Sequence, residues 1–378
     1  MKAFSSFGTS VLIGAQVTLN EWRWQRLLAA TARPQAVSQH NFPVVGRYLI
    51  STDNGLYRVT ADAVERLCDI PAFGLALAKD RIYLATWHGD WSIVLSGDRD
   101  AVLSGGDCDW RELYRVKVMN DAGRIHQIGV LDDALWLCNT ALNTYTKIDR
   151  NSGAWMANIG PFKCAFGHPI LVDHNHVNGV LPQPNYLIFT AFKINRESVF
   201  GIAGRGLVRL FSYPNMGAHD CVMAGEDFYF SDSYRFWDEA EGGIVVKNGV
   251  AIDKPYFDRN KAFFVRGIAG HGNEILIGNS CIGDRRERFK GRGELILVEE
   301  EMVTHSISTP CAQIYDILRE DGAHFDRPPS AMDFDAASDI LEKSLGQCVQ
   351  EFPLIDVLSG ERQKKFAKSD IGQVDEYF

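Results

Sequence analysis

The sequence lacks paired cysteines, long apolar runs and a recognisable secretion signal. None of its eight cysteines forms a CxxC pair, which disfavours a zinc cage or a disulfide framework and indicates reduced core thiols. No apolar run approaches the length of a membrane-spanning helix, and the amino-terminal stretch is too weakly apolar for a secretion signal. These absences predict a cytoplasmic protein with no membrane partner.

Familiar catalytic signatures are also absent. There is no GxSxG elbow, no HExxH, no P-loop and no GxGxxG between a strand and a helix, so no nucleotide cofactor is indicated. The chain has 39 basic and 48 acidic residues, a net charge of −9. Because nucleic acid is held by cationic residues that displace its counterions, this balance disfavours DNA or RNA as a partner.

A repeat is present instead. Five segments share a layout of a short apolar run, a polar turn and a second apolar run. They are "FGLALAKDRIYLATW" from 73, "HQIGVLDDALWLCNT" from 126, "HVNGVLPQPNYLIFTAF" from 176, "HDCVMAGEDFYFSDS" from 219 and "RGIAGHGNEILIGNS" from 266.

The register of the repeat predicts the fold. Aligning the second runs makes the first residues equivalent: Phe73, His126, His176, His219 and Arg266. Their separations of 53, 50, 43 and 47 residues are typical of a four-strand propeller blade. The chain is therefore predicted to be all-β, a single β-propeller with four antiparallel strands per blade. Residues 47–67 supply the end of one more blade, so six is the simplest count, and a seventh from residues 1–39 stays open.

Three regions are expected along the chain: an N-terminal strand and helix over 1–39, the propeller over 40–318, and a C-terminal helical extension and tail over 319–378. Closing the ring removes exposed sheet edges and requires a strand from one terminus to join a blade made by the other. The candidates are "TSVLIGAQ" near residue 10 and "CAQIYDIL" at 311–318. The pattern does not choose between them.

Equivalent positions should converge on one mouth of the central tunnel. Three imidazoles at one level are the ligand set of many Zn, Fe or Mn sites, and an adjacent guanidinium orients a carboxylate or phosphate. The predicted roles are metal ligands His126, His176 and His219, catalytic groups His219 and Asp232, and substrate-binding groups Arg266, Asn139, Asn279 and His88. His40 is a candidate for the ring position of the first blade. In the alternative reading, the tunnel is polar and its histidines bind only water.

Two function classes follow from this mouth. One is an enzyme acting on a small anionic substrate, perhaps a sugar acid or glycan fragment, through a histidine base or a divalent transition metal, with lyase or hydrolase chemistry. The other is a noncatalytic propeller that binds a glycan, a peptide or a protein partner, the latter through the rim loops or the C-terminal helix, since the fold does not determine catalysis.

Parts of the repeat resemble a bacterial propeller family of the DUF4915 type, a domain of unknown function. The resemblance rests on "HVNGVLPQPNYLIFTAF", "AHDCVMAGEDFYFSDS" and "FFVRGIAGHGNEILIGNSCIGDRRE" and covers about residues 45–300. It implies the propeller fold and the ring but no particular reaction. It also implies a set of family-type positions, among which Asn178 is an expected substrate-binding group: His176, Asn178, His219, Arg266, Ser280 and Arg286.

Overall fold

The structure is a computed structural model. It describes residues 21, 24, 25, 28, 35–106, 108–118, 124–160, 164–165, 168–169, 176–194, 197–214, 217–233, 245–252, 264–281, 288–326 and 332–354. Within these residues six antiparallel sheets of four or five strands form the blades of a β-propeller. The predicted fold class and the count of six blades are confirmed. No helix in the described part is both long and apolar enough to cross a membrane.

The blades are numbered I to VI around the ring, and each is listed from its innermost strand outward. Blade I is β27 (Ile314–Arg319), β2 (Tyr48–Thr52), β3 (Leu56–Val59), β4 (Ala63–Cys68) and β1 (Gln35–Gln39). Blade II is β5 (Gly74–Leu77), β6 (Arg81–His88), β7 (Trp91–Asp98) and β8 (Arg111–Lys117). Blade III is β9 (Ile125–Leu131), β10 (Ala134–Asn139), β11 (Thr144–Asp149) and β12 (Trp155–Ile159).

The second half of the ring continues in the same order. Blade IV is β15 (Val177–Gln183), β16 (Tyr186–Ile194), β17 (Glu197–Gly204), β18 (Leu207–Tyr213) and β28 (Gln350–Pro353). Blade V is β19 (Ala218–Ala224), β20 (Asp227–Asp232), β21 (Val245–Lys247) and β22 (Val250–Ala251). Blade VI is β23 (Phe264–His271), β24 (Glu274–Ser280), β25 (Glu294–Glu299) and β26 (Met302–Ser308). A short hairpin, β13 (Cys164–Ala165) with β14 (His168–Pro169), precedes blade IV.

The ring is closed by the strand within "CAQIYDIL". β27 pairs antiparallel with β2 from Tyr48 opposite Arg319 to Thr52 opposite Ile314. Blade I therefore takes its innermost strand from residues near 315 and its other strands from residues 35–68. β1, expected in a separate N-terminal region, is the fifth strand of this blade. The other closing candidate, near residue 10, lies outside the described residues.

Burial explains why the inner strands are almost continuously apolar. The blades pack face to face, so both faces of the inner strands leave water and the alternation of a one-sided sheet disappears. β24 is buried at all seven positions, whereas the outermost strand of the same blade, β26, is mainly exposed. Each inner strand is thereby held rigidly at the tunnel wall.

Helical pieces lie outside the ring, as the sequence predicts. The described residues Glu21, Trp24, Gln25 and Leu28 are helical. The chain also has α1 (Arg99–Ser104), a 3₁₀ turn (Thr140–Leu142) and α2 (Phe334–Leu345). Asp333 caps α2 by accepting hydrogen bonds from two backbone N–H groups. Phe334 packs in the apolar cluster shared by blades IV and V, so the C-terminal extension braces two blades.

The lower end of the tunnel is crossed by residues 320–326, named here the plug segment. Gly322 approaches Leu77 of blade II, and the N–H of Gly270 in blade VI donates to the carbonyl of His324. Phe325 stacks on Tyr229 of blade V with ring centroids 5.1 Å apart. The plug segment thus contacts several blades and leaves the upper end as the approach to the tunnel.

Candidate functional site at the tunnel mouth

Six inner strands each contribute a side chain to a ring at the upper mouth. The residues predicted to be equivalent occupy it in blades II, III, V and VI. In blade IV the strand register instead places Asn178 at the ring position, where it lines the cavity at the mouth, and His176 lies two residues earlier in the chain. Blade I adds Tyr315 beside Phe73, with centroids 4.5 Å apart. Phe73 lies 5.4 Å from His126, and His126 lies 4.7 Å from His176. His176 is 6.4 Å from His219 by centroids.

Blade VI completes the ring. Phe264 lies 6.1 Å from His219, and the guanidinium of Arg266 lies 4.4 Å from the Phe264 centroid and 5.7 Å from that of Tyr315. The position expected for His40 is therefore filled by Tyr315. His40 is at the outer side of blade I, where its backbone N–H donates to Asp62.

The ring divides into two halves by chemistry. Blades III, IV and V form the histidine half, which consists of His126, His176 and His219. Blades VI, I and II form the arginine half, which consists of Phe264, Arg266, Tyr315 and Phe73. Two more guanidinium groups lie at its edge: Arg124 over Trp87 at 4.6 Å and Arg288 over Phe264 at 4.6 Å. Cations are thus concentrated on aromatic faces at one side of the mouth.

His176 is held in an uncommon backbone conformation. Its φ is 51°, in the left-handed region that few residues other than glycine adopt, although histidine tolerates it better than β-branched residues do. The side chain is 7% exposed and lies between the two other imidazoles. A strained backbone at the centre of the histidine half is consistent with a functional constraint on the imidazole.

Below the ring, side chains cap the inner strands of the next blade. The edges of inner strands that face the tunnel have no partner strand, so their N–H groups need other acceptors. Leu75 N donates to Asp316 Oδ2 at 3.0 Å, Val180 N to Gln127 Oε1 at 2.7 Å, and Gly267 N to Asp220 Oδ2 at 2.5 Å. The acceptors come from blades I, III and V, and the donors from blades II, IV and VI. This capping layer ties the blades together in pairs.

Burial sets the protonation of these groups. Burial lowers the pKa of His219 well below its usual value, and the charge of Arg266 lowers it further. Burial raises the pKa values of Asp220 and Asp316, and the charge of Asp220 raises that of Asp316 further. His219 is consequently neutral, while the two carboxyl groups hold protons more tightly than exposed aspartates.

The plug segment reaches the capping layer through one side chain. His324 Nδ1 lies 4.0 Å from Asp316 Oδ1, and burial lowers the pKa of His324 to about 4. The imidazole is therefore neutral near pH 7, and the contact is a packed polar pair rather than an ion pair. It brings the plug segment against the capping layer.

The predicted site residues fall into two groups. His126, His219, Arg266 and Asn178 line one cavity at the mouth, together with Phe73, Gln127, Asp220 and Tyr315. His176 contacts this group through His126 and His219.

The remaining predicted residues lie outside the cavity lining. Asn139 bonds Thr146 within blade III, and Asn279 accepts from Phe264 N, which fixes the start of β23. His88 stacks on Trp24 at 5.0 Å. Asp232 is buried at the end of β20, one strand outward from His219.

Sequence reasoning missed Tyr315 and the capping residues. A signal was available: His126, His219 and Tyr315 are each followed by a side chain with a terminal oxygen that accepts hydrogen bonds, Gln127, Asp220 and Asp316. The motif places a ring residue and a capping residue side by side on alternate blades. Arg286, from the family resemblance, lies outside the described residues, and Ser280 bonds the backbone of Ile314 in blade I.

The metal prediction gains no support from the geometry. Among the described residues, no three His, Cys, Asp or Glu side chains are arranged to hold one metal ion. A bound Zn, Fe or Mn at His126, His176 and His219 stays a prediction.

Comparisons with known proteins give distant structural likenesses. No family model and no curated protein matches the chain. Among solved structures, a chain of a nidogen/laminin complex aligns with a TM-score of 0.47 and 12% identity over 72% of this chain and 97% of that one. A periplasmic gluconolactonase of Pseudomonas aeruginosa aligns with a TM-score of 0.41 and 12% identity over 72% and 98%. Likenesses this distant carry no inference about activity.

Proposed function

We propose that the tunnel mouth is the active site of an enzyme that holds a small anionic molecule and uses a histidine as its acid–base group. The observation that carries this proposal is the division of one ring into an arginine half and a histidine half around a shared cavity. Hydrolysis of a lactone or ester of a sugar acid, or elimination from such an acid, fits these groups.

The arginine half supplies the anion site. Arg266 lines the cavity and is oriented by the faces of Phe264 and Tyr315. A guanidinium held in this way presents a planar fork of donors to a carboxylate or phosphate. Arg124 and Arg288 add positive charge at the rim. The net charge of the whole chain is −9, so the positive charge at the mouth is a local feature and does not reflect an overall excess of cations.

The histidine half supplies the proton acceptor. His219 is neutral because burial and Arg266 lower its pKa, and a bound anion would offset Arg266 and raise that pKa toward the working range. In hydrolysis, an imidazole would take a proton from water as the water oxygen attacks the carbonyl carbon. The same proton would then pass to the leaving oxygen.

The proposal is tested by measuring whether the protein converts any compound in a panel of candidate substrates. Glucono-δ-lactone, simple aryl acetates and uronates would be followed by pH-stat, absorbance and NMR with the wild-type protein, His219→Gln and the exposed control His305→Gln. We expect turnover of at least one panel member, a loss of about 100-fold or more in His219→Gln, and no change in the control.

Two other outcomes would decide against the enzyme. Binding of gluconate that depends on Arg266, with no turnover across the panel, would assign the mouth to a noncatalytic binding module. No binding of any anion would remove the proposed site altogether. Metal analysis of the same samples tests the metal prediction separately, through the presence or absence of stoichiometric Zn, Fe or Mn.

A further inference from the structure

The mouth cavity as a whole is very small. Its volume of about 10 Å³ corresponds to about one water molecule or one ligand oxygen. The body of a ligand must therefore remain above the cavity, and only a single small group can enter it.

Asn178 lines this cavity and has an unused acceptor. The residue is 2% exposed, and its Nδ2 donates to the carbonyl of Ala218 in blade V at 3.2 Å. That bond fixes the orientation of the amide, and Oδ1 is buried without a hydrogen-bond partner among the described residues. An unsatisfied buried acceptor is costly, so it points to a donor supplied by something bound in the cavity.

Gln127 presents the opposite polarity. Its Oε1 accepts from Val180 N at 2.7 Å, so the amide is oriented with its NH₂ group on the other side. There a hydrogen bond to Asp316 uses one of the two N–H groups and partly offsets the rise in the pKa of that carboxyl. The residue is 3% exposed and lines the same cavity. An acceptor from Asn178 and a donor group from Gln127 on one small cavity match a hydroxyl, which both donates and accepts.

We infer that this space is a hydroxyl subsite, so that the ligand is a hydroxy-substituted anion with its anionic group at Arg266 and one hydroxyl oxygen between Asn178 and Gln127. The inference rests on the proposed function only for the anion at Arg266. It adds a specificity: the anion without the hydroxyl leaves the Asn178 acceptor unpaired and binds more weakly.

Pairs of acids that differ by one hydroxyl test the subsite in the unmodified protein. Glycolate with acetate, lactate with propionate, and malate with succinate would be titrated by NMR and calorimetry. We expect the hydroxy acid to bind about tenfold or more tightly in at least one pair, because a buried acceptor is satisfied only by that member. If every pair binds alike, the space holds only a resident water and the inference is overturned.

A variant tests whether Asn178 causes the preference for the hydroxy acid. Asn178→Leu keeps the approximate size and removes the acceptor, and it should reduce the preference to about twofold or less while acetate and succinate bind as before. Asn151→Leu, an exposed position on blade III, is the matched control and should keep the preference. Thermal melting shows whether the cavity variant is folded, and the wild-type pairs decide the question if it is not.

The two proposals fail in different ways. If neither member of any pair binds, the anion site at Arg266 is wrong. If both members of every pair bind the wild-type protein equally tightly and Arg266→Met weakens both, the anion site stands and only the hydroxyl subsite is lost.

Discussion

The histidine half and the arginine half of the ring are built on equivalent inner strands and differ in chemistry. The ring position carries an imidazole in blades III and V and Asn178 in blade IV, where His176 precedes it by two residues and contacts both imidazoles. In blades VI, I and II the ring position carries a guanidinium or an aromatic group. The capping layer beneath does not follow this division, since its acceptors Asp316, Gln127 and Asp220 come from alternate blades. The hydrogen bonds of the capping layer are therefore distributed evenly around the ring. The histidines and the arginines of the mouth, in contrast, lie on opposite halves.

The largest effect should come from removing the charge of the arginine half. Arg266→Met keeps an extended apolar stem between Phe264 and Tyr315 but removes the guanidinium. We expect gluconate affinity to fall about 100-fold or more, because loss of a charged partner from a buried hydrogen-bonded pair is costly. Calorimetry checks this, with the exposed Arg111→Met of β8 as control. An unchanged affinity would show that the two halves do not differ in anion binding.

Next in size is the pH dependence of stability beneath the arginine half. The pKa of His324 is about 4 in the folded protein and 6.5 as an unperturbed group, so the unfolded chain takes up the proton first as pH falls. The stabilisation is present above pH 6.5 and is lost between pH 6.5 and 4, by about 3 kcal/mol in total.

Comparison with His324→Gln isolates this effect. The stability advantage of the wild type over the variant should shrink as pH falls from 6.5 to 4, measured by urea unfolding at several pH values. The raised pKa of Asp316 acts in the opposite direction, destabilising the folded state as pH rises above 3.8, and it is present in both proteins. A difference that does not vary with pH would contradict the neutral buried assignment of His324.

A smaller effect tests the strain within the histidine half. His176→Val places a β-branched residue at a φ of 51° and should lower the free energy of unfolding by about 1–3 kcal/mol relative to His176→Asn, which tolerates this region. His126→Val and His126→Asn form the matched pair on the adjacent strand β9. There the order should reverse or vanish, because valine favours extended backbone. If valine lowers the free energy of unfolding equally at His176 and His126, backbone strain does not distinguish the two positions.

The smallest effect is expected outside both halves. His88 stacks on Trp24 and does not line the cavity. His88→Phe should preserve the stack and change gluconate affinity less than about twofold, within the range of a remote surface change. Calorimetry against the wild type measures this. A large loss of affinity would show that His88 contributes to ligand binding. The histidine half would then include a residue of blade II.

Much of the fold could be predicted because its signal is local. Each blade carries its own apolar runs and turns within about 50 residues, so the register of Phe73, His126, His176, His219 and Arg266 can be read along the chain. From that register came the six blades, and four of the residues that meet at the mouth. The hydrogen bonds of Asn139 and Asn279 depend on neighbouring strands, and spacing alone could not distinguish them from residues that line the cavity.

By itself, then, the sequence determined the repeat, the propeller and the set of histidines with Arg266, because apolar periodicity along one chain specifies which residues begin each inner strand. The tertiary structure decided the contacts between segments that are far apart in the sequence. It placed Tyr315 beside Phe73 through a closing pair between β27 and β2. It also brought His324 to Asp316 at the base of the tunnel. Such contacts join segments that are close only after the ring has closed, so no local pattern records them.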